Sequence, residues 1–268
     1  MAHDRAKAGS TDLRSPGVVL LHGIARTARS LRRIERALQA EGFATLNLDY
    51  PSRSKPLDAL AAEIHPQVSE FADTTDQLHF LAHSMGGLLT RVYLARHRPP
   101  RLGRVVMLGT PNGGSEVADL LKNLSLYRAF YGPAGQQLTT TPDDSLISLP
   151  PPDYPVGIIA GIRPIDPIAS YLVLPRPNDG RVSLQSAQLA GMADLAVVKA
   201  SHTGLVRHPV AVAQAIAFLR DGRFESSENL CSAARSAPNP VRRSGPRRIS
   251  TVKTACATCR PAHQSRAR

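Results

Sequence analysis

Leu78-His-Phe-Leu-Ala-His-Ser-Met-Gly-Gly87 gives the clearest indication of how this chain folds. Residues 78–82 form a short apolar run, which predicts a buried strand. Residues 85–97 repeat apolar side chains at helical spacing, and Pro99-Pro100 predicts where that helix ends. The stretch therefore predicts a strand, a sharp turn at Ser84 and a helix.

Ser84 lies on this predicted turn in a pattern that favours nucleophilic chemistry. A serine hydroxyl becomes a good nucleophile only when a base removes its proton, and a sharp strand-to-helix turn exposes the hydroxyl to such a base. Small residues two positions before and after the serine, Ala82 and Gly86, allow the strand and the helix to pass closely. The amide of Met85, at the helix start, is well placed to stabilise an oxyanion. The alternative is a plain N-cap serine, but two glycines make a poor start for an ordinary helix.

The same alternation of strands and helices continues along the chain. Strands are predicted at residues 18–21, 44–48, 78–82, 105–108, 156–160 and 195–198. Helices are predicted at residues 31–38, 57–71 and 85–97 and from Pro209 to about Arg220, with a kink or break at Pro66. This order predicts an α/β fold with a mostly parallel sheet of about six strands and helices on both faces. In such sheets the functional site lies at the carboxyl ends of the strands.

Two stretches interrupt the alternation. Residues 112–155 contain a helix-like segment at 116–130 and then a loop rich in Gly, Pro, Thr and Asp, and residues 162–177 contain four prolines. We expect both to lie over the site as a cap or wall, with ordinary surface loops as the alternative. The apolar residues of the first stretch are compatible with a substrate groove, but they fit the buried side of a helix better: Leu120, Leu121, Leu124, Leu126 and Phe130.

His22-Gly23-Ile24 follows the first predicted strand. Glycine permits a turn that aims the next amide into the site, so the N–H of Ile24 is expected to be the second oxyanion donor beside that of Met85. We interpret His22 as a buried structural histidine rather than the catalytic base.

Three motifs follow one another along the chain: Leu21-His-Gly-Ile24, Ala82-His-Ser-Met-Gly-Gly87 and Gly109-Thr-Pro-Asn-Gly-Gly-Ser115. Together they resemble the motifs of the α/β-hydrolase superfamily. More narrowly, they resemble small bacterial lipases and esterases whose nucleophile turn also begins with alanine. The resemblance covers roughly residues 17–220. It implies a serine, an acid and a histidine in that order along the chain, and a wall of the site at Gly109-Thr110-Pro111, with Asn112 as a polar contact.

The resemblance places the base at His202, in Ser201-His-Thr-Gly-Leu205, directly after the last strand and before the last helix. We expect the side chain of His83, next to the nucleophile, to point away from the pocket. Four histidines are expected to be solvated surface groups, and two lie near the chain ends: His65, His79, His97 and His208, then His3 and His263.

Asp179, in Pro177-Asn-Asp-Gly-Arg-Val182, is the expected acid, which would hold the imidazole in the right tautomer. It follows the fifth strand and precedes His202 by 23 residues. Asn-Asp-Gly is also a common turn, and Asp166, in Pro164-Ile-Asp-Pro167, is a rival for the same role. Asp49 follows an earlier strand and is interpreted as a loop cap.

Charge and cysteine are concentrated in one segment. Residues 229–268 hold eight Arg, one Lys and no acid, which is +9 of the net +12 and leaves +3 for the other 228 residues. All three cysteines lie in the same segment; Cys256 and Cys259 have metal-ligand spacing, but only His263 is near, so no metal or other cofactor is expected. A body without cysteine fits a cytoplasmic protein.

The resemblance and the composition together give the expected domain organisation. We expect a flexible N-terminus at residues 1–16, an α/β-hydrolase domain at 17–222 with a lid-like insertion at 112–155, and a disordered tail rich in Arg, Ser and Pro at 223–268. Neither a secretory signal nor a transmembrane helix is expected. The sequence does not indicate an oligomeric state.

The leading hypothesis is a serine hydrolase that cleaves a small-molecule or lipid ester through an acyl-enzyme. An acyltransferase with the same three residues is the first alternative. The second is a non-catalytic scaffold whose basic tail binds nucleic acid or an acidic surface. Such a tail binds anions non-specifically, but it lacks aromatic residues for base stacking, so no dedicated nucleic-acid site is expected.

Overall fold

The centre of the molecule is a six-stranded sheet made of β1 (Gly17–Leu21), β2 (Ala44–Leu48), β3 (Leu78–His83), β4 (Leu102–Leu108), β5 (Val156–Gly161) and β6 (Asp194–Val198). Its strand order is β2-β1-β3-β4-β5-β6, and every neighbouring pair is parallel. This computed structural model describes residues 14–115, 118, 125–138, 149–164 and 174–226, with the backbone alone for 125–130. The predicted parallel sheet is confirmed.

The α-helices that accompany the strands include α1 (Arg32–Ala40), α2 (Leu57–Asp73), α3 (Met85–Arg96), α4 (Ser125–Gln136), α5 (Leu184–Ala187) and α6 (Pro209–Asp221). Two short 3₁₀ helices, Ala28–Leu31 and Leu205–Arg207, precede α1 and α6. The α2 helix continues through Pro66, so the break considered there does not occur. Burial of its apolar stripe against the sheet offsets the hydrogen bond that proline removes: Leu57, Leu60, Ile64 and Val68.

Both faces of the sheet are covered, because successive side chains of a strand point to opposite sides. Val19 and Leu21 of β1 belong to a core shared with α2 and α3. Val18 and Leu20 belong to a second core shared with α1 and α6. Continuous apolar strands such as β1 are therefore needed here, as in other parallel sheets.

The insertion between β4 and β5 differs from its prediction. A helix was expected at 116–130, but α4 extends to Gln136 and is interrupted at Gly132, where φ is 61° and ψ is −161°. Residues 116, 117 and 119–124 lie outside the described residues. Beyond the interruption, Ala134 and Leu138 are buried against the first core, so this end of the insertion packs onto the domain.

Several other predicted features fall outside the described residues. These are Asp166, the three cysteines, most of residues 1–16 and most of the segment 223–268. No helix in the described part is long and apolar enough to cross a membrane. Within the same part, no three His, Cys, Asp or Glu side chains are grouped so that they could hold a metal ion.

The strand register brings the ends of the central strands level. Leu21 pairs with Ala82, and His83 pairs with Leu108. The segments that follow these residues therefore leave the same edge of the sheet together. That edge is where the sequence predicted the site.

Candidate active site

Ser84 forms a strained turn between β3 and α3. Its backbone has φ 56° and ψ −128°, a conformation that L-residues rarely adopt and that costs about 1–3 kcal/mol. The N–H of Ser84 donates to the carbonyl of Leu108 at 2.9 Å, which holds the turn against β4. The hydroxyl is thereby lifted above the end of the sheet.

Gly86 allows α3 to begin directly over β1. A Cβ added at Gly86 would lie 2.4 Å from the carbonyl oxygen of Leu21 and 2.7 Å from that of His22. Both obstacles are backbone atoms, which cannot move aside as a flexible side chain can. Ala82, on the other side of the serine, is completely buried, so a methyl group is accommodated at the position where the common pattern has glycine.

His202 is carried by the loop that follows β6. Its Nε2 lies 3.0 Å from Oγ of Ser84, although the two residues are 118 positions apart in the sequence. The loop folds on itself, because the amides of Gly204 and Leu205 both donate to the carbonyl of Ser201 at 2.9 Å. The imidazole is therefore held beside the serine at the mouth of the sheet.

Asp179 uses its two carboxylate oxygens for different purposes. Oδ2 accepts from Nδ1 of His202 at 2.9 Å, while Oδ1 accepts from the amides of Arg181 and Val182 at 2.9 and 2.8 Å. The turn and the contact with histidine, which the sequence presented as alternatives, thus coexist. The carboxylate is almost fully buried, and these three donors compensate its desolvation.

Gly109 makes room for this pair of side chains. Its φ is +56°, and a Cβ there would approach Oδ2 of Asp179 at 3.1 Å and Nδ1 of His202 at 3.2 Å. The Gly109-Thr110-Pro111 segment lies beside the serine, as expected, since Oγ1 of Thr110 donates to the carbonyl of Ser84 at 3.0 Å. Asn112 is different, because its Nδ2 donates to Ala187 at 2.9 Å and the residue does not line the cavity described below.

Ile24 and Met85, the expected oxyanion donors, flank Ser84. Ile24 lines the cavity above the serine, and Met85 is the first residue of α3. The Ile24 segment is held by two hydrogen bonds, from the amide of Ala25 to Oγ of Ser52 at 3.1 Å and from that of Arg26 to the carbonyl of Gly23 at 3.2 Å.

His22 is completely buried beneath this segment, as predicted. Its ring stacks on Tyr50 with the ring centroids 4.1 Å apart, and its Nδ1–H donates to the carbonyl of Gly23 at 2.8 Å. Burial lowers the pKa of His22, although the hydrogen bond to Gly23 and the nearby Asp49 oppose that shift. Asp49 also accepts from the amide of Ala28 at 3.4 Å, at the start of a 3₁₀ helix, in keeping with a loop cap.

His83 does not point away from the pocket, as was expected, but lines it. Its Nε2–H donates to the carbonyl oxygen of His202 at 3.0 Å. Burial and the neighbouring His202 lower the pKa of His83 to about 3. The side chain is therefore a neutral support for the His202 loop rather than a second base.

Among the four other histidines that were expected to be solvated, the expectation was wrong for His79. His79 is 2% exposed, and its Nδ1 accepts from the amide of Arg104 at 2.9 Å. Burial is the main cause that lowers its pKa to about 4. His79 lies on the interior strand β3, where both faces are covered, so neither side of the strand reaches water. His65 and His97 are half-buried and stack at 4.1 Å, and His208 is also half-buried.

A cavity of about 330 Å³ opens above the serine and the histidine. Its wall combines apolar side chains, hydroxyl groups and two arginines: Gly23, Ile24, Ala25, Arg26, His83, Ser84, Pro111, Ser115, Ala118, Tyr131, Leu138, Arg181, Val182, His202 and Thr203. Ser115, Ala118, Tyr131 and Leu138 come from the insertion, which therefore forms one side of the cavity. The structure thus brings Ser84, His202, Asp179 and Ile24 together at one site.

Sequence reasoning missed several lining residues. Arg26, Arg181 and Thr203 each lie within two residues of a predicted site position, so inspection of the neighbours of each motif would have found them. Tyr131 and Leu138 had no such signal. Their position depends on the path of the insertion, which the local sequence does not determine.

Comparison with known proteins identifies the fold. A family model described as the α/β hydrolase fold matches residues 16–137. The chain has the α/β-hydrolase fold. The matched part includes Ser84 but ends before Asp179 and His202, whose arrangement rests on the geometry above. No curated protein matches the sequence.

Solved structures show the same α/β-hydrolase fold. The mature lipase BlEst2 from Bacillus licheniformis is 20% identical over 73% of this chain and 88% of its own, with a TM-score of 0.56. A structure from the metagenome-derived lipolytic enzymes LipS and LipT is 19% identical over 78% of this chain and 95% of its own, with a TM-score of 0.57. The phospholipase PlaB from Legionella pneumophila is 15% identical over 82% of this chain and 62% of its own, with a TM-score of 0.61.

Proposed function

We propose that the protein is a serine hydrolase that cleaves carboxylic esters through an acyl-enzyme. One observation carries the proposal: a continuous chain of hydrogen bonds runs from Asp179 through His202 to Oγ of Ser84. It ends at the wall of a cavity rather than inside packed hydrocarbon. Such a chain of acid, base and hydroxyl converts serine into a nucleophile.

Acylation begins at Ser84. Its Oγ attacks the ester carbonyl carbon while Nε2 of His202 takes the hydroxyl proton. Asp179 keeps the proton of the neutral ring on Nδ1, so Nε2 is free to accept, and it stabilises the imidazolium that forms. The negative charge that develops on the carbonyl oxygen is stabilised by the amides of Ile24 and Met85, and one such donor is typically worth about 10²–10³ in kcat.

Collapse of this intermediate breaks the bond between the carbonyl carbon and the alcohol oxygen. His202 gives its proton to that oxygen, and the alcohol leaves. Water then attacks the acyl-enzyme while His202 accepts its proton. Protonation of Oγ restores Ser84 and releases the carboxylic acid. The proton transfers of the two halves are balanced, so the cycle consumes only ester and water.

The preference for an ester rests on the cavity and on the similar structures. BlEst2 is a lipase, LipS and LipT are lipolytic enzymes, and PlaB is a phospholipase. The apolar part of the cavity wall includes Ile24, Leu138 and Val182, which suits an acyl chain. A volume of about 330 Å³ lies at the low end of the usual range for ligand pockets, so we expect short acyl chains to be favoured.

The test combines a covalent probe with turnover. Wild-type protein should take one fluorophosphonate label on Ser84. It should also hydrolyse p-nitrophenyl butyrate faster than p-nitrophenyl esters of long-chain fatty acids. Ser84→Ala should remove the label, and His202→Ala should lower kcat/KM by at least about 10³-fold. Ser69→Ala, on the exposed side of α2, is the matched control and should behave as wild type. Wild-type protein that takes no label and hydrolyses no ester of any chain length would refute the proposal.

A further inference from the structure

A second cavity, of about 190 Å³, adjoins the one above Ser84. It is lined by Arg26, Ser30, His83, Thr203, Val206 and Arg207. Arg26, His83 and Thr203 also line the first cavity. The two cavities therefore lie next to each other, on either side of this shared wall or along it.

Two arginines from distant parts of the sequence supply the charge of this second cavity. Arg26 belongs to the segment after β1, and Arg207 ends the 3₁₀ helix that follows the His202 loop. Among the described residues, neither guanidinium lies within 4.0 Å of a carboxylate. Arg26 is close enough to His83 for its charge to contribute to the lowered pKa of that buried ring. The second cavity is thus a concave wall with two positive charges and no fixed counterion in the described part of the chain.

The position of this cavity relates it to one half of the ester. During acylation His202 gives its proton to the alcohol oxygen, so the alcohol lies on the His202 side of the scissile bond. Thr203, the next residue, is part of the wall that both cavities share. An alcohol that extended past Thr203 would enter the second cavity, whereas the acyl chain would remain near Ile24 and Leu138.

We propose that the second cavity binds an anionic group, a carboxylate or a phosphate, carried by the alcohol half of the ester substrate. The proposal rests on the esterase function proposed above and specifies its substrate class. Guanidinium groups fit it because their planar donors match the oxygens of both anions. The hydroxyl of Thr203 adds a polar group to the same wall, while Ser30 uses its own proton to bond the carbonyl of Thr27 at 2.7 Å.

Paired substrates test the proposal. Butyrate esters of ω-hydroxyalkanoic acids are compared with butyrate esters of the corresponding ω-hydroxyalkanamides, at three chain lengths, so that only the charge differs within a pair. A third set carries a terminal phosphate and distinguishes the two anions. The measured quantity is the ratio of kcat/KM for the anionic ester to that for the neutral one. In the wild type this ratio should exceed one at one chain length at least, and it should fall in 0.5 M salt, which screens exposed charges.

Variants assign the ratio to the second cavity. Arg26→Gln and Arg207→Gln should each lower it by about tenfold, and Arg26→Lys should lower it less because the charge is kept. Arg29→Gln is the matched control, since Arg29 is an exposed arginine in the same region and lines neither cavity. Because Arg26 and Arg207 are also exposed, the variants should fold, and labelling of Ser84 by the fluorophosphonate verifies that they do.

Three results would overturn the proposal. One is a ratio near one at every chain length, and another is a ratio that the two glutamine variants leave unchanged. The third is a change in kcat/KM in these variants for esters that carry the carboxylate on the acyl half rather than on the alcohol half. In these cases neutral esters are still hydrolysed, and the esterase function stands. If the wild type hydrolyses no ester and takes no label, the esterase function fails and the anion site falls with it.

Discussion

Replacement of Asp179 by asparagine tests the proposed chemistry most directly, because the structure determines how the new side chain must sit. Oδ1 of Asp179 accepts from the amides of Arg181 and Val182. An asparagine that turned its NH₂ group toward those two amides would place donor against donor. The amide oxygen must therefore stay on the turn, and the NH₂ group must face Nδ1 of His202.

This orientation reverses the tautomer of the imidazole. With a donor facing it, Nδ1 becomes the acceptor and the ring proton moves to Nε2, which lies 3.0 Å from Oγ of Ser84. Nε2 can then no longer accept the serine proton. In a serine enzyme with this arrangement the same change lowers kcat by about 10⁴-fold, which corresponds to about 5 kcal/mol of transition-state free energy.

The effect on folding should be small by comparison. Asparagine has the size of aspartate and keeps the two bonds to the turn. Each becomes weaker without the negative charge, by about 1 kcal/mol, but the variant no longer buries a carboxylate. The assay is therefore steady-state hydrolysis of p-nitrophenyl butyrate together with urea unfolding, with Asp153→Asn, at an exposed aspartate, as the control.

Activity of Asp179→Asn within about tenfold of wild type would show that Asp179 is not the acid of the triad, since loss of that acid costs far more. In that event Asp166 is the next residue to replace. If Asp166→Asn alone abolishes turnover, the acid lies at Asp166 and the Asp179 contact with His202 has another role.

Two further predictions concern packing and pH. Gly86→Ala should lower the free energy of unfolding by about 1–3 kcal/mol and reduce ester hydrolysis, because its methyl group would meet the carbonyl of Leu21. The control Gly113→Ala should be tolerated, since the nearest atom is 3.4 Å from the added Cβ. Wild-type stability of Gly86→Ala would contradict the close approach of α3 to β1. Burial lowers the pKa of His79 to about 4 and of His83 to about 3, so below an unfolded-state pKa of about 6.5 the unfolded chain binds protons that the folded chain does not. Stability should therefore be complete above pH 7 and fall by about 2 kcal/mol for each of these histidines at pH 5. Urea unfolding at the two pH values measures this loss. His79→Gln should reduce it by about 2 kcal/mol, and an equal loss in the variant would show that His79 does not cause it.

The sequence predicts the fold well because strands of a parallel sheet are short apolar runs and its helices carry regular stripes. It predicts the location of the site for the same reason, since residues after such strands share one edge of the sheet. The misassigned histidines show the limit. His79 looks like a polar residue at an alternating strand position, but it is buried because β3 has helices on both sides. Local periodicity does not say how many faces of a strand are covered.

Contacts between distant segments are the other part that the sequence does not reveal. Arg26 and Arg207 line one cavity although 181 positions separate them in the sequence. Nothing in either local motif indicates that they share a wall. The path of the insertion is equally hidden, so the cavity residues Tyr131 and Leu138 could be found only from the folded structure.

His202 itself shows why the arrangement suits catalysis in its resting geometry. Its amide donates to the carbonyl of Asp179 at 2.9 Å, and its carbonyl accepts from His83 at 3.0 Å, so both polar backbone atoms are held. Its two ring nitrogens face Asp179 and Ser84. Asp179 thus fixes the histidine through the main chain and the ring at once, while the neutral His83 supports it from the other side. A base held by four such contacts needs little reorganisation when the proton moves. This preorganisation favours an active hydrolase over an inert scaffold more strongly than the mere presence of the three residue types does.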